Sequence, residues 1–236
     1  MPEDFSQPSL FEVAEPDRAW RKIATPAAME AVARDHGQMI GFFGHRGLLT
    51  LGHYLMAWRL AEEESVILVD GANIVDLPLI LRLTRESRQD PRALLGRIHL
   101  SRAFTIHQLE ALIGERLEGA FDRYQSRLCF ISGLLDTFYD EEVPRWEAQR
   151  ILRKVLETLR RLADQGRRVI VIAPDPPGPS TTRRDLAAPV AKAVDRIFRL
   201  ADENGALGLK DEADAACVKR WVLPSVQLRM KRTLPR

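Results

Sequence analysis

The chain has 236 residues, 45% of them apolar and 29% charged, and its formal net charge is +2. That is enough for one sizeable α/β domain with a tail, and two domains are not required. So small a charge excludes a nucleic-acid binder that uses its whole surface, although most of the cations are arginines, which grip phosphate with a fork that lysine lacks.

Other classes fall away on residue type. The five histidines, at 36, 45, 53, 99 and 107, form no HxxxH or HExxH spacing, so no metal or other cofactor is expected. Cys129 and Cys217 sit in apolar runs and read as buried reduced thiols of a cytoplasmic protein. The first residues lack the basic-then-apolar order of a secretion signal, and no 18-residue apolar run suggests a membrane span.

In chain order, residues 1–27 carry Pro2, Pro8, Pro16 and Pro26 among acidic and small residues and read as a flexible arm, interrupted by the apolar pair Leu10-Phe11. Residues 28–236 read as one domain. Short apolar runs predict strands near 38–43, 66–70, 97–101, 127–132 and 168–173. Helical periodicity falls near 48–61, 76–87, 105–120 and 144–165. This alternation predicts a mostly parallel sheet with crossover helices on its faces. In the last third, Asp195–Leu200, Ala216–Val222 and Ser225–Met230 alternate apolar with charged residues, as antiparallel strands added at the C-terminal end would.

Between the first strand and the first long helix lies Gly41-Phe-Phe-Gly-His-Arg-Gly-Leu-Leu-Thr50, in the strand, glycine-rich turn and helix order of a phosphate-binding loop. Such a loop ends in Gly-Lys-Ser/Thr, where the ammonium holds phosphates and the hydroxyl holds Mg²⁺. Here Gly47 is followed by Leu48 and Leu49. Shifting the register by one puts Arg46 and Gly47 in the last glycine and lysine places and Leu48 in the hydroxyl place, which does not restore the chemistry either.

Five segments in order resemble the RecA/RadA recombinase core. Gly41–Gly47 is similar to its P-loop, Val66–Asn73 to its second strand, and Ile98–Leu109, with Arg102-Ala-Phe-Thr105, to its third strand and following helix. Arg127–Asp136 resembles its Walker B strand, and Arg168–Ala173 the strand before its second DNA-binding loop. The resemblance implies a RecA-like P-loop NTPase fold over about residues 30 to 230. It also implies where the chemistry is missing: Ala72 stands where the family's catalytic glutamate would be, and Ser132 where its Mg²⁺-holding aspartate would be. With lysine, hydroxyl, aspartate and glutamate all replaced, no catalytic residue is expected. Asp136 is the one candidate for a substitute metal ligand, against its plainer use as a turn cap.

Gln7-Pro-Ser-Leu-Phe11 resembles the peptide by which bacterial polymerases and repair factors dock on the sliding clamp. The overlapping Phe11-Glu-Val-Ala14 resembles the Phe-x-x-Ala plug with which RadA-type recombinases bind a neighbouring subunit. Packing of Leu10 and Phe11 onto the chain's own core competes with both. For DNA, the expected contacts are weak and sequence-independent: Arg183 and Arg184 after the fifth strand, and Lys219, Arg220, Arg229, Lys231 and Arg232 near the C-terminus. The expected function is a catalytically inactive RecA-like accessory or scaffold in DNA recombination, repair or damage-tolerant replication, with a clamp, recombinase or polymerase as partner, or with self-assembly. Two alternatives stay open: an atypical DNA-dependent ATPase using Arg46 and Asp136, and a RecA-like cell-division or signalling regulator that does not touch DNA.

Overall fold

The computed structural model of the chain describes residues 26–33, 38–84, 89–176, 183–202, 207–213 and 218–221. Its first half runs α1 (Pro26–Ala33), β1 (Met39–Gly44), α2 (Leu48–Ala61), β2 (Val66–Asp70), α3 (Leu77–Leu83), α4 (Pro91–Leu95) and β3 (Ile98–Arg102). Helix α5 (Ile106–Ala111) continues through a π-helical turn (Leu112–Arg116) into α6 (Leu117–Arg123). Then come β4 (Leu128–Ser132), a 3-10 turn (Asp136–Tyr139), α7 (Arg145–Asp164) and β5 (Arg168–Pro174). A second 3-10 turn (Arg184–Leu186), α8 (Ala187–Ala193), β6 (Arg196–Asp202), β7 (Leu207–Asp211) and β8 (Val218–Trp221) complete the order.

The eight strands among the described residues join one sheet in the order β3-β2-β4-β5-β1-β6-β7-β8. β1 to β6 are parallel, and β7 and β8 are added antiparallel. Parallel strands require crossovers, which cover both faces, so the central strands are apolar throughout rather than alternating. Met39, Phe43, Ile67, Val69, Cys129, Ile131, Val169 and Val171 pack on one side with α5 to α8. Ile40, Phe42, Val66, Leu68, Leu128, Phe130 and Ile170 pack on the other with α1, α2 and α3. The two faces explain the two helix types. α7 buries a stripe of Ile151, Leu152, Val155, Leu156, Leu159 and Leu162 and exposes its arginines, whereas α2 is covered nearly all round.

The mostly parallel sheet with antiparallel C-terminal strands agrees with the sequence reading, with three differences. Arg196–Asp202 is parallel to β1, not antiparallel, because α8 carries the chain back across the sheet before the strand begins. Leu207–Asp211, which the alternation did not reveal, is the first antiparallel strand. The helix expected over 76–87 ends at Leu83. Ser225–Met230 lies outside the described residues.

Candidate functional site

The register aligns Gly44 with Pro174, Asp70 with both Arg102 and Ser132, and Ser132 with Ile172, so the carboxyl ends of five parallel strands lie along one edge. In open α/β sheets ligands bind at this edge. β1 extends through Gly44 and absorbs Gly41 into a buried strand, which leaves His45, Arg46 and Gly47 as the whole turn before α2. Gly44 has φ +107, and a Cβ there would stand 2.2 Å from the Leu200 carbonyl oxygen, so only glycine fits.

The turn spends its own amides. His45 N–H donates to Leu200 O at 2.8 Å, Leu48 N–H to His45 O at 3.0 Å and Leu49 N–H to Arg46 O at 3.1 Å. The Gly47 N–H donates to His45 Nδ1 at 3.0 Å. A phosphate-binding loop works by aiming such donors at the ligand. Here four of them are directed back into the chain.

Above the turn, Arg46 Nη2 donates to Asp136 Oδ1 at 2.7 Å and Arg46 Nη1 to Asp175 O at 3.3 Å. The guanidinium therefore bridges the ends of β1, β4 and β5. Asp136 is mostly buried, and its Oδ2 and the neighbouring Thr137 Oγ1 have no hydrogen-bond partner. Burial pushes the Asp136 carboxyl above the usual range; Arg46 pulls it back in part, and Asp70 adds to the rise. Ala72 and Ser132 meet beside it, with Gly71 N–H and Ala72 N–H donating to Ser132 O at 2.8 and 3.3 Å. Gly133, at φ +66, allows this approach, since a Cβ there would meet Ala72 Cβ at 2.4 Å and Asp136 Oδ2 at 2.7 Å. The structure thus gathers Gly44 to Gly47, Ala72, Ser132 and Asp136, while Leu48 and Leu49 are buried among apolar neighbours.

Asp70, fully buried, is held by the amides of Ile74 and Val75 at 3.3 and 3.1 Å, and Arg102 Nε lies 3.4 Å from its Oδ2. Its capacity goes into shaping the loop after β2. His53 was not foreseen as a structural residue. From α2, its Nδ1 contacts Leu49 O at 2.7 Å and its Nε2 accepts the Asp76 N–H at 3.0 Å, which fixes the Nδ1-protonated tautomer. Burial lowers its pKa; Leu49 O, Asp76 and Asp70 oppose that shift. Among the described residues, no group of three or more His, Cys, Asp or Glu could hold a metal ion, and no helix is long and apolar enough to cross a membrane.

The cationic candidates separate. Arg183 is 6% exposed, at φ +66, and its guanidinium turns inward onto the carbonyls of Phe138 at 2.8 Å, Asp140 at 2.5 Å and Val143. It ties the segment after β5 to the segment after β4 and does not face solvent. Arg184 begins the following 3-10 turn. Lys219 and Arg220 pair with Leu209 and Gly208 on β8. Arg229, Lys231 and Arg232 lie outside the described residues, as do Gln7, Leu10, Phe11 and Ala14.

A second feature had no signal in the sequence. Among the described residues, β3 ends the sheet and pairs only with β2. Beside it a cavity of about 510 Å³ opens between the sheet and the helix that carries the π-helical turn. Ile67, Val69, Leu112, Leu117 and Ala120 give it apolar walls, with Ser101 of β3 at its rim. A strand edge with unpaired backbone groups next to an apolar hollow can accept an extended segment by strand addition.

No protein-family model matches the chain.

Proposed function

We propose that this chain is a catalytically inactive RecA-like accessory or scaffold protein acting in DNA recombination, repair or damage-tolerant replication. Five segments that resemble the RecA/RadA core fall on β1, β2, β3 with its following helix, β4 and β5 of one sheet, and the antiparallel strands come after them. The observation that carries the inactive part is the closed turn: Arg46 is bonded to Asp136, and four turn amides are bonded within the chain. Phosphoryl transfer needs donors and cations aimed at the ligand, and this turn has turned its own inward. The same pairing weakens the atypical ATPase reading, because the two residues it needs neutralise each other. The repair context rests on the resemblance, since a fold alone does not fix a function.

Docking is the means by which such a scaffold acts, and the arm's Gln7, Leu10, Phe11 and Ala14 supply it. The sliding clamp is one partner. The free β3 edge with its apolar cavity favours the other, in which Phe11-x-x-Ala14 docks on a neighbouring copy.

The test is phosphate release with Mg²⁺ and DNA, together with melting in millimolar ATP. No turnover is expected. The melting temperature should stay fixed, because only a ligand that binds the native state raises it. Turnover that Asp136→Ala abolishes would overturn the proposal in favour of the atypical ATPase.

A further inference from the structure

Among the described residues, three large apolar side chains are left in water: Ile74 at 39% exposure, Phe104 at 68% and Trp146 at 67%. All three lie at the carboxyl edge of the sheet. Ile74 follows β2, Phe104 follows β3 and Trp146 opens α7 after β4, and β3, β2 and β4 are neighbours. Contacts join them into one patch. Asn73 Nδ2 donates to Ala103 O at 3.1 Å, which brings the loop of Ile74 against that of Phe104. His107 Nε2 lies 3.9 Å from Glu147 Oε1, which sets the start of α5 beside the start of α7.

Neither ring is used by its own helix. Thr105 caps α5 by accepting the Gln108 N–H at 3.2 Å, and Gln108 Oε1 accepts the Phe104 N–H at 2.8 Å. Phe104 therefore holds the place before the cap, from which an apolar side chain commonly packs on the fifth residue along, here Leu109. Leu109 is fully buried while the Phe104 ring stays in water. Trp146 sits on the solvent face of α7 with Gln149, Arg150 and Arg153, away from the buried stripe.

The two ends of the patch differ in charge. At the β3 end, Arg102 is 44% exposed while Asp70 beside it is wholly buried, so the surface shows the cation. At the β4 end, Asp140, Glu141 and Glu142 are exposed, and neither glutamate has an ion-pair partner among the described residues. Arg145, next along, is bonded to Asp185 at 2.6 Å.

From these features we infer that the carboxyl edge over β3, β2 and β4 is the contact face of a closed pair with a second copy of this chain. In that pair Phe104 of each copy packs on Trp146 of the other, and Arg102 of each faces Glu141 and Glu142 of the other. A twofold contact must be self-complementary. This patch carries a ring at each end, opposite charges at the two ends and Ile74 between, so a half-turn about an axis over β2 lays each end on its complement. Exposed Trp, Phe and Arg are the residue types that anchor such contacts. A single strand of nucleic acid also stacks on exposed rings, but the carboxylates at 140–142 repel phosphate and Ile74 has no ring face to offer. The pair covers an edge at which open α/β sheets bind ligands. It goes beyond the accessory reading, and it needs neither the arm nor DNA.

The experiment is sedimentation velocity on the full-length chain carrying Phe11→Ala, which removes the arm's route to a neighbour. A monomer–dimer equilibrium is expected between about 1 and 100 μM, with no larger species. Phe104→Ala with Trp146→Ala should weaken it at least about 30-fold. Both side chains are exposed, so the melting temperature should hold. Glu141→Lys with Glu142→Lys should also weaken the pair at low salt, an effect that shrinks toward about 0.5 M salt as the charges are screened. The same charge reversal would strengthen binding of a labelled oligothymidine, so the two occupants give opposite signs. A chain that stays monomeric throughout the range overturns the inference, as does a dimer indifferent to the aromatic variant. A ladder of larger species overturns the closed pair. Oligothymidine held by a monomeric chain through Phe104 and Trp146, and held more tightly after the reversal, would give the patch to nucleic acid instead. None of these outcomes bears on ATP turnover, so the inactive reading stands or falls separately.

Discussion

Arg46 and Asp136 stabilise each other unequally. Asp136 is largely buried with one oxygen unpaired, while Arg46 is about a third exposed and keeps access to water. Removing the arginine strands a carboxylate in a low-dielectric site, whereas neutralising the carboxylate releases an arginine that water can solvate. The raised Asp136 pKa points the same way: burial outweighs the help of Arg46, so folding makes this carboxyl harder to ionise than it is in the unfolded chain. Arg46→Ala should therefore cost about 1–3 kcal/mol, the range for leaving a buried polar group unsatisfied. Asp136→Asn should cost less than Arg46→Ala and can be stabilising. Urea unfolding at pH 7 gives both values, and the reverse order would show that the pair acts through Arg46 alone. The turn's backbone does not depend on this pair, because its amides are satisfied separately.

At the scale of elements, His53 joins α2 to the loop that starts α3, where Asp76 also caps the helix by accepting from Leu79 N–H at 2.8 Å. Protonating Nε2 would remove the acceptor for Asp76 N–H. The folded pKa lies below the free imidazole value of about 6.5, so the unfolded chain binds the proton more readily. The stabilisation is thus complete above about pH 6.5 and is lost as pH falls below it toward the folded pKa. Burial shifts His99 in the same direction, so part of the acid loss belongs to β3. His53→Gln keeps one donor and one acceptor without the titration. Its unfolding midpoint should match wild type at pH 7.5 and fall less by pH 5.5; an identical fall would place the acid sensitivity elsewhere.

The elements differ in how far the sequence reveals them. β1, β2, β4 and β5 are continuous apolar runs bounded by polar turns, and full burial on both faces requires that pattern, so their positions and the parallel sheet were readable. β7 was hidden because Leu207-Gly-Leu-Lys-Asp211 is short and contains glycine, and its identity depends on pairing with β6. At the site, the missing lysine and hydroxyl were visible as residue types. The closed amides, the Arg46–Asp136 bond and the inward turn of Arg183 were not, since each depends on where separate loops meet. The β3 cavity is a property of sheet order, and no local pattern encodes that.

For the whole molecule, charge decides what DNA contact remains. The structure draws many arginines into internal pairs: Arg59 and Arg168 with Glu64, Arg160 with Asp164 and Asp195, Arg161 with Glu118, and Arg196 with Asp211. Arg183 is spent on carbonyls. Cations committed in this way offer little to a phosphate backbone, and the C-terminal Lys and Arg residues form the densest run of those that remain. No acidic residue lies between 215 and 236, so nothing in that stretch offsets them. Binding should be sequence-independent and should fall steeply with salt, with a log–log slope near 0.9 per phosphate neutralised on duplex DNA. Replacing Arg229, Lys231 and Arg232 together by alanine should flatten that slope by about 2–3, for duplexes of any sequence. Fluorescence anisotropy between 25 and 200 mM salt, over which the Debye length shortens from about 20 Å to about 7 Å, reads it directly. An unchanged slope would move the contact away from the C-terminal stretch. No binding even at the lowest salt would remove DNA from the proposal and leave a protein scaffold of the regulator kind.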